Sequence, residues 1–147
     1  EEGMSVFEVG AGVAYNAALL SVLVGKNGTV TTTEVIPELV HLAKLNLSNV
    51  GIHNVFVHEA DGGAGFPDTA PFDRIIITAA CPLIPQPLIT QLKDGGIVVA
   101  PVGEMGQQTL VKGTKKNGYL DLQFLGSFNF VPLKGKYGFP ENSTENL

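Results

Sequence analysis

The sequence predicts a Rossmann-like α/β domain: a mainly parallel, twisted sheet with helices on its faces and antiparallel strands at its C-terminal edge. Three observations predict it. Apolar or β-branched runs alternate with helix-patterned segments as far as Val102. The first run, in "FEVGAGVAY" (Phe7 to Tyr15), ends in glycines where a strand turns into a helix. The last two runs have only the turn "KKNG" (Lys115 to Gly118) between them, which suits an antiparallel pair.

Each element follows from local pattern. Ser5 to Val9 is a short apolar-rich strand, and Tyr15 to Val24 has helical spacing until "GKNG" (Gly25 to Gly28) breaks it. Thr29 to Val35 is β-branched almost throughout and reads as the second strand. Pro37 suits a first helical turn. From there Leu39, Val40, Ala43, Leu47 and Val50 share one face, and Gly51 ends the helix. Val55 to Ala60 is the third strand, followed by a glycine-rich loop from Asp61 to Pro71. Phe72 to Ala79 carries "IIIT", a continuous apolar run typical of a strand covered on both faces. A proline-led helix within Pro82 to Gly96 is expected to stop at the glycine pair, with a buried strand from Ile97 to Val102. Gln108 to Thr114 and Tyr119 to Phe130 are the later strands. Residues 1–139 are expected to form one domain and 140–147 a C-terminal tail.

Composition narrows the function. With 147 residues, 44% apolar and 16% charged, the chain is long enough for a real core. A net charge of −5 and scattered lysines argue against a nucleic-acid partner, which would require a basic stripe. No apolar run approaches the roughly 20 residues that span a bilayer, so no membrane partner is expected. Cys81 is the sole cysteine, which leaves no internal disulfide and fits a cytoplasmic setting. A monomer is expected.

Ligands of such sheets bind beyond the carboxyl ends of the strands, where strand order reverses. Three carboxylates stand near those ends: Glu8 in the first strand, Glu34 at the end of the second, and Asp61 just past the third. Glu34 lies 22 positions after Gly12, close to the separation of a carboxylate that holds ribose hydroxyls. A dinucleotide would also need a pyrophosphate site with a third glycine, but the pattern here is Gly10-x-Gly12-x-x-Tyr15 with Glu8 at the corner. S-adenosylmethionine has no phosphate and carries two positive groups, so an acidic corner attracts it. Its ribose would take Glu34, and its adenine amino group an acceptor such as Asp61, with Gly62 leaving room for the ring.

The stretches "FEVGAGVAYNAALLSVLVG", "TEVIPELVHLAKLNL", "DGGAGFPDTAPFDRIIITAACPLIPQPLITQLKDGGIVVAPVG" and "FVPLKGKYG" resemble the protein-L-isoaspartate (D-aspartate) O-methyltransferase family over nearly the whole chain. The resemblance implies S-adenosyl-L-methionine as methyl donor and isoaspartyl proteins or peptides as acceptors. It implies Glu8, Gly10, Gly12, Glu34, Val35, Asp61 and Gly62 as cofactor-binding residues, and Val131, Pro132 and Lys134 near the acceptor. Two departures stand out. The family usually has Ser or Thr and then Gly where this chain has Val13 and Ala14. It also carries an N-terminal segment, with a catalytic serine in a Thr-Ile-Ser-x-Pro-His-like motif, that nothing here matches. The chain is therefore expected to be a fragment or truncated member with low turnover of its own, and no catalytic residue is assigned.

The chemistry agrees with the residues present. A carboxylate acceptor is ionised at neutral pH, so its methylation needs alignment and a dry site rather than a general base. Ala79-Ala80-Cys81-Pro82 lacks the Asn/Asp-Pro-Pro-aromatic pattern common in nitrogen methylation, which favours an oxygen acceptor. His41, His53 and His58 are not spaced as metal ligands and are expected at surfaces or edges. Cys81 is expected to pack, Thr78 to satisfy nearby backbone, and Asp73 and Arg74 to flank a buried strand. Three other readings stay open: a methyltransferase for another carboxylate, a cofactor-binding module without turnover, and an NAD-linked oxidoreductase.

Overall fold

The computed structural model describes residues 1–140, so the expected tail lies, but for Pro140, outside the described residues. Among these residues seven strands form one sheet in the order β3-β2-β1-β4-β5-β6-β7. The strands are β1 (Ser5–Val9), β2 (Thr29–Glu34), β3 (Val55–Glu59), β4 (Phe72–Ile77), β5 (Leu92–Glu104), β6 (Gln107–Lys116) and β7 (Tyr119–Phe128). The first five pair in parallel, and β6 and β7 add antiparallel to β5. Helices α1 (Tyr15–Val24), α2 (Pro37–Asn49) and α3 (Gln86–Gln91) connect the parallel strands. This is a Rossmann-like fold, and its switch point lies between β1 and β4, where the connections depart in opposite directions.

The period-two alternation of the strands divides the core in two. On one face Phe7, Val9, Ile75, Ile77, Val98 and Ala100 pack with Leu88 of α3. Phe7 and Phe72 stack there with ring centroids 5.0 Å apart. On the other face Val6 and Val30 meet Ala17 and Val24 of α1 and Val40, Ala43 and Leu47 of α2. Of the predicted face of α2, Val40, Ala43 and Leu47 are buried and Leu39 partly so, whereas Val50 lies just past the helix and is 68% exposed. No helix among the described residues is long and apolar enough to cross a membrane.

The chief departure from the sequence pattern lies before Ile97. Helix α3 stops at Gln91, and β5 begins at Leu92, five residues earlier than expected. Leu92 is fully buried beside Phe72, and this burial outweighs the helix pattern. Between Leu92 and Ile97 the strand bulges: β5 spends five residues where β4 spends two, and Gly95 turns through a φ of 75°. Lys115 Nζ donates to the carbonyls of Ile89 and Leu92, both at 2.7 Å, and so satisfies the end of this short helix from β6. The glycine-rich loop after β3 holds two 3-10 turns, Gly62–Ala64 and Pro67–Thr69. After β7 the chain crosses back over the sheet, and Leu133 inserts into the first core.

Candidate active site

The carboxyl ends of β1, β2, β3 and β4 surround a cavity of about 570 Å³. Its floor includes Val9, Thr33 and Thr78; one side is Glu34, Val35 and Leu39; the opposite wall is Val131 to Lys134. Of the residues singled out in the sequence, Gly10, Gly12, Glu34, Val35, Gly62, Val131, Pro132 and Lys134 line this one space. Two do not. Glu8 is fully buried on the α1 face, and Asp61 turns its carboxylate toward the returning chain.

Glu34 is only 8% exposed, and it acts as a tie. Its Oε2 accepts from Gly12 N at 2.9 Å, and its Oε1 accepts from Val35 N at 2.9 Å and Ile36 N at 3.1 Å. A carboxylate has about four acceptor sites, so about one is left for a ligand. The glycine corner is closed on itself in the same way. Gly10 N and Ala11 N both donate to Thr33 O at 2.9 Å, and Ala14 N donates to Ala11 O at 2.8 Å. With Gly12 N given to Glu34, these four N–H groups are turned inward and form no anion nest.

Ala14 explains one departure noted in the sequence. It sits at the N-cap of α1 with φ of 68°, is almost fully buried, and makes no side-chain cap. The left-handed region strains any residue with a Cβ, which is why glycine suits this place.

Glu8 stands behind the corner because alternation along β1 sends it to the same face as Val6, while Val9 reaches the cavity. Asn16 Nδ2 donates to its Oε2 at 2.6 Å and Thr32 Oγ1 to its Oε1 at 2.7 Å. Burial pushes the Glu8 carboxyl above the ordinary range; the two hydrogen bonds oppose this, and the neighbouring Glu34 charge adds to it.

The opposite wall hangs from Ala80, whose N–H donates to Val131 O at 2.7 Å and whose carbonyl accepts from Leu133 N at 2.7 Å. Thr78 both lines the cavity and satisfies backbone, with Oγ1 2.8 Å from Val9 O and 2.7 Å from Gly10 O. Thr33 Oγ1 is the one buried side-chain polar atom without a partner among the described residues. Sequence reasoning missed Val9, Thr33, Leu39 and Leu133 as lining residues. Val9 and Thr33 were legible from alternation at the strand ends, whereas Leu39 and Leu133 needed the tertiary fold.

The other polar residues lie elsewhere. Cys81 is fully buried, and burial pushes its thiol up to about 12, so it is unreactive packing. Asp73 accepts from Lys93 Nζ at 2.8 Å and from Ser5 N at 2.9 Å, which joins β1 to the bulge of β5. His58 stacks on Phe66 at 4.2 Å.

The model of the protein-L-isoaspartate(D-aspartate) O-methyltransferase family matches residues 1–138. The chain belongs to this family. Among curated relatives named protein-L-isoaspartate O-methyltransferase, that of Methanocella arvoryzae is 49% identical over 94% of this chain and 73% of its own length. That of Methanococcoides burtonii is 47% identical over 94% of this chain and 68% of its own length. A solved protein-L-isoaspartate O-methyltransferase superposes with a TM-score of 0.89 at 34% identity, covering 94% of this chain but 44% of its own. A Plasmodium falciparum structure described as a beta-aspartate methyltransferase in complex with S-adenosyl-L-homocysteine superposes with a TM-score of 0.77 at 26% identity, covering 91% of this chain and 67% of its own. The chain thus spans about two thirds of these curated relatives and less than half of one solved family member.

Two measurements test the corner. Ala14→Gly should raise stability by about 0.5–1 kcal/mol in urea unfolding, since relief of left-handed strain exceeds the added freedom of the unfolded chain. Glu8→Gln keeps the size but removes the ionisable carboxyl; its single acceptor oxygen holds one of the two donors, and the other partner must turn to accept from the new amide NH2. Glu8 contributes stability that is complete below the ordinary carboxylate range and is lost as pH rises through its raised value. The variant should therefore unfold at a higher temperature than wild type at neutral pH, with the gap closing as pH falls below the ordinary range. A gap independent of pH would contradict the assignment.

Proposed function

We propose that the chain binds S-adenosyl-L-methionine and serves methyl transfer to the carboxylate of L-isoaspartyl (D-aspartyl) residues in damaged proteins. The observation that carries the cofactor reading is the inward closure of the glycine corner. Four N–H groups that would hold a pyrophosphate are already paired, one of them with a carboxylate, so a phosphate-free ligand is favoured over NAD. The residues present fit such a ligand. Glu34 retains an acceptor site for a ribose hydroxyl, Val35 and Leu39 offer apolar surface to a base, and Glu8 and Glu34 favour positive charge nearby. Family membership supports both donor and acceptor.

When bound, S-adenosylmethionine supplies an electrophilic methyl group to a carboxylate oxygen in line with it. The chain's own residues would position the partners. Glu34 and Val35 hold the nucleoside end; the hydrogen bonds of Ala80 fix the Val131–Leu133 wall; Lys134, exposed at the rim, draws in an anionic acceptor. No group on the chain needs to remove a proton, because the acceptor is already ionised. Placement and exclusion of water are what the site has to provide. A cytoplasmic monomer acting without nucleic acid or membrane belongs to the same proposal, supported by the net charge of −5 and the lone buried Cys81.

Calorimetry tests the reading. S-adenosylhomocysteine should bind and NAD should not, and Glu34→Ala should weaken S-adenosylhomocysteine about 10- to 100-fold, the value of a hydrogen bond to a charged group. Tighter binding of NAD would overturn the cofactor assignment. Methyl incorporation into an isoaspartyl peptide, compared with the aspartyl peptide of the same sequence, tests the acceptor.

A further inference from the structure

Asp61 stands where the sequence places an acceptor for a base amino group, yet both of its oxygens already hold backbone N–H groups. Oδ1 accepts from Gly63 N at 2.9 Å, and Oδ2 accepts from Lys136 N at 2.8 Å, 75 residues further along the chain. The second bond fastens the chain that returns after β7 to the end of β3. Two glycines admit it. Gly135 has φ of 113°, and a Cβ there would collide with the Asp61 carboxylate; a Cβ on Gly63 would lie 3.1 Å from Tyr137 Cβ.

The returning chain is anchored twice, by different means. Its first limb, Val131 to Leu133, is held by Ala80 and by the burial of Leu133. Its second limb, Gly135 to Tyr137, has few ties. Gly138 N donates back to Gly135 O at 3.1 Å and Phe139 N to Leu133 O at 3.2 Å, but both are bonds within the returning chain itself. Among the described residues, the Asp61–Lys136 bond is the hydrogen bond that ties this limb to the sheet. Lys134, which lines the cavity, lies between the two anchors.

We propose that Asp61 is a positioning residue that latches this limb and thereby sets Lys134 at the rim of the cavity. The inference rests on the reading of the cavity given above and deepens it. One of the roughly four acceptor sites of the Asp61 carboxylate is used by the latch and a second by Gly63 N. A base amino group bound to the others would share that carboxylate, so the nucleoside end and the limb beside Lys134 are coupled through one side chain.

The test uses two variants with different chemistry. Asp61→Asn keeps the size but offers one acceptor oxygen, so one of the two N–H groups loses its partner. Gly135→Ala leaves Asp61 intact and pushes the limb away from it. In either variant trypsin should cut the folded, ligand-free chain after Lys134 and Lys136 about tenfold faster, as expected when loss of a charged hydrogen bond eases local opening. The KM for an isoaspartyl peptide should rise several-fold more than the Kd of S-adenosylhomocysteine. Unchanged cleavage at both lysines in a folded variant, with the loss confined to S-adenosylhomocysteine affinity in Asp61→Asn, would overturn the latch and assign Asp61 to the base alone. Thermal unfolding identifies which variant is folded, and Gly135→Ala decides if Asp61→Asn is not. Failure of the wild-type chain to bind S-adenosylhomocysteine would remove the functional reading while leaving the latch open to measurement by trypsin.

Discussion

The Glu34 carboxylate accepts N–H groups from two neighbouring loops beside the switch point: Gly12 from the loop after β1, and Val35 and Ile36 from the turn that leads into α2. The rest of the site depends on this tie. It holds the glycine corner against the end of β2 and sets one side of the cavity. It also occupies an N–H group that a phosphate would otherwise use. A fold that elsewhere holds dinucleotides is thereby turned toward a ligand without phosphate, by hydrogen-bond accounting rather than by any change in strand order.

The charge behind the corner works in the same direction. Glu8 is fully buried, and Asn16 and Thr32 hydrogen-bond it. Desolvation and the nearby Glu34 both oppose its ionisation. A cation bound in the cavity would ease that opposition, so a residue that does not touch the cavity still contributes to its electrostatic preference. The left-handed Ala14 adds local strain to the same turn. Strain and a buried carboxyl that is costly to ionise, gathered at one corner, are expected where a fold gives up stability for binding.

Much of the fold was legible because each connection carries its own local signal. The glycine corner, the proline at the start of α2 and the β-branched run of β2 each name their element without reference to anything distant. The misplacement at β5 shows the limit. Leu92 belongs to a helix by sequence pattern and to a strand by burial against Phe72, a residue that is far away in sequence. Glu8 and Asp61 show the same limit at the site. Their positions at strand ends were readable, but the direction of each carboxylate depends on alternation along β1 in one case and on a returning chain in the other.

By itself the sequence determined the order of the elements, the family, and the set of carboxylates that gather at one edge of the sheet, because these follow from residue type and spacing along the chain. Tertiary structure decided which of those carboxylates reach the cavity, which N–H groups they use up, and that Leu133 and the chain around it close the far wall. The reason is physical. A carboxylate's chemistry is a property of the residue, but its available lone pairs are what remains after the folded backbone has taken its share.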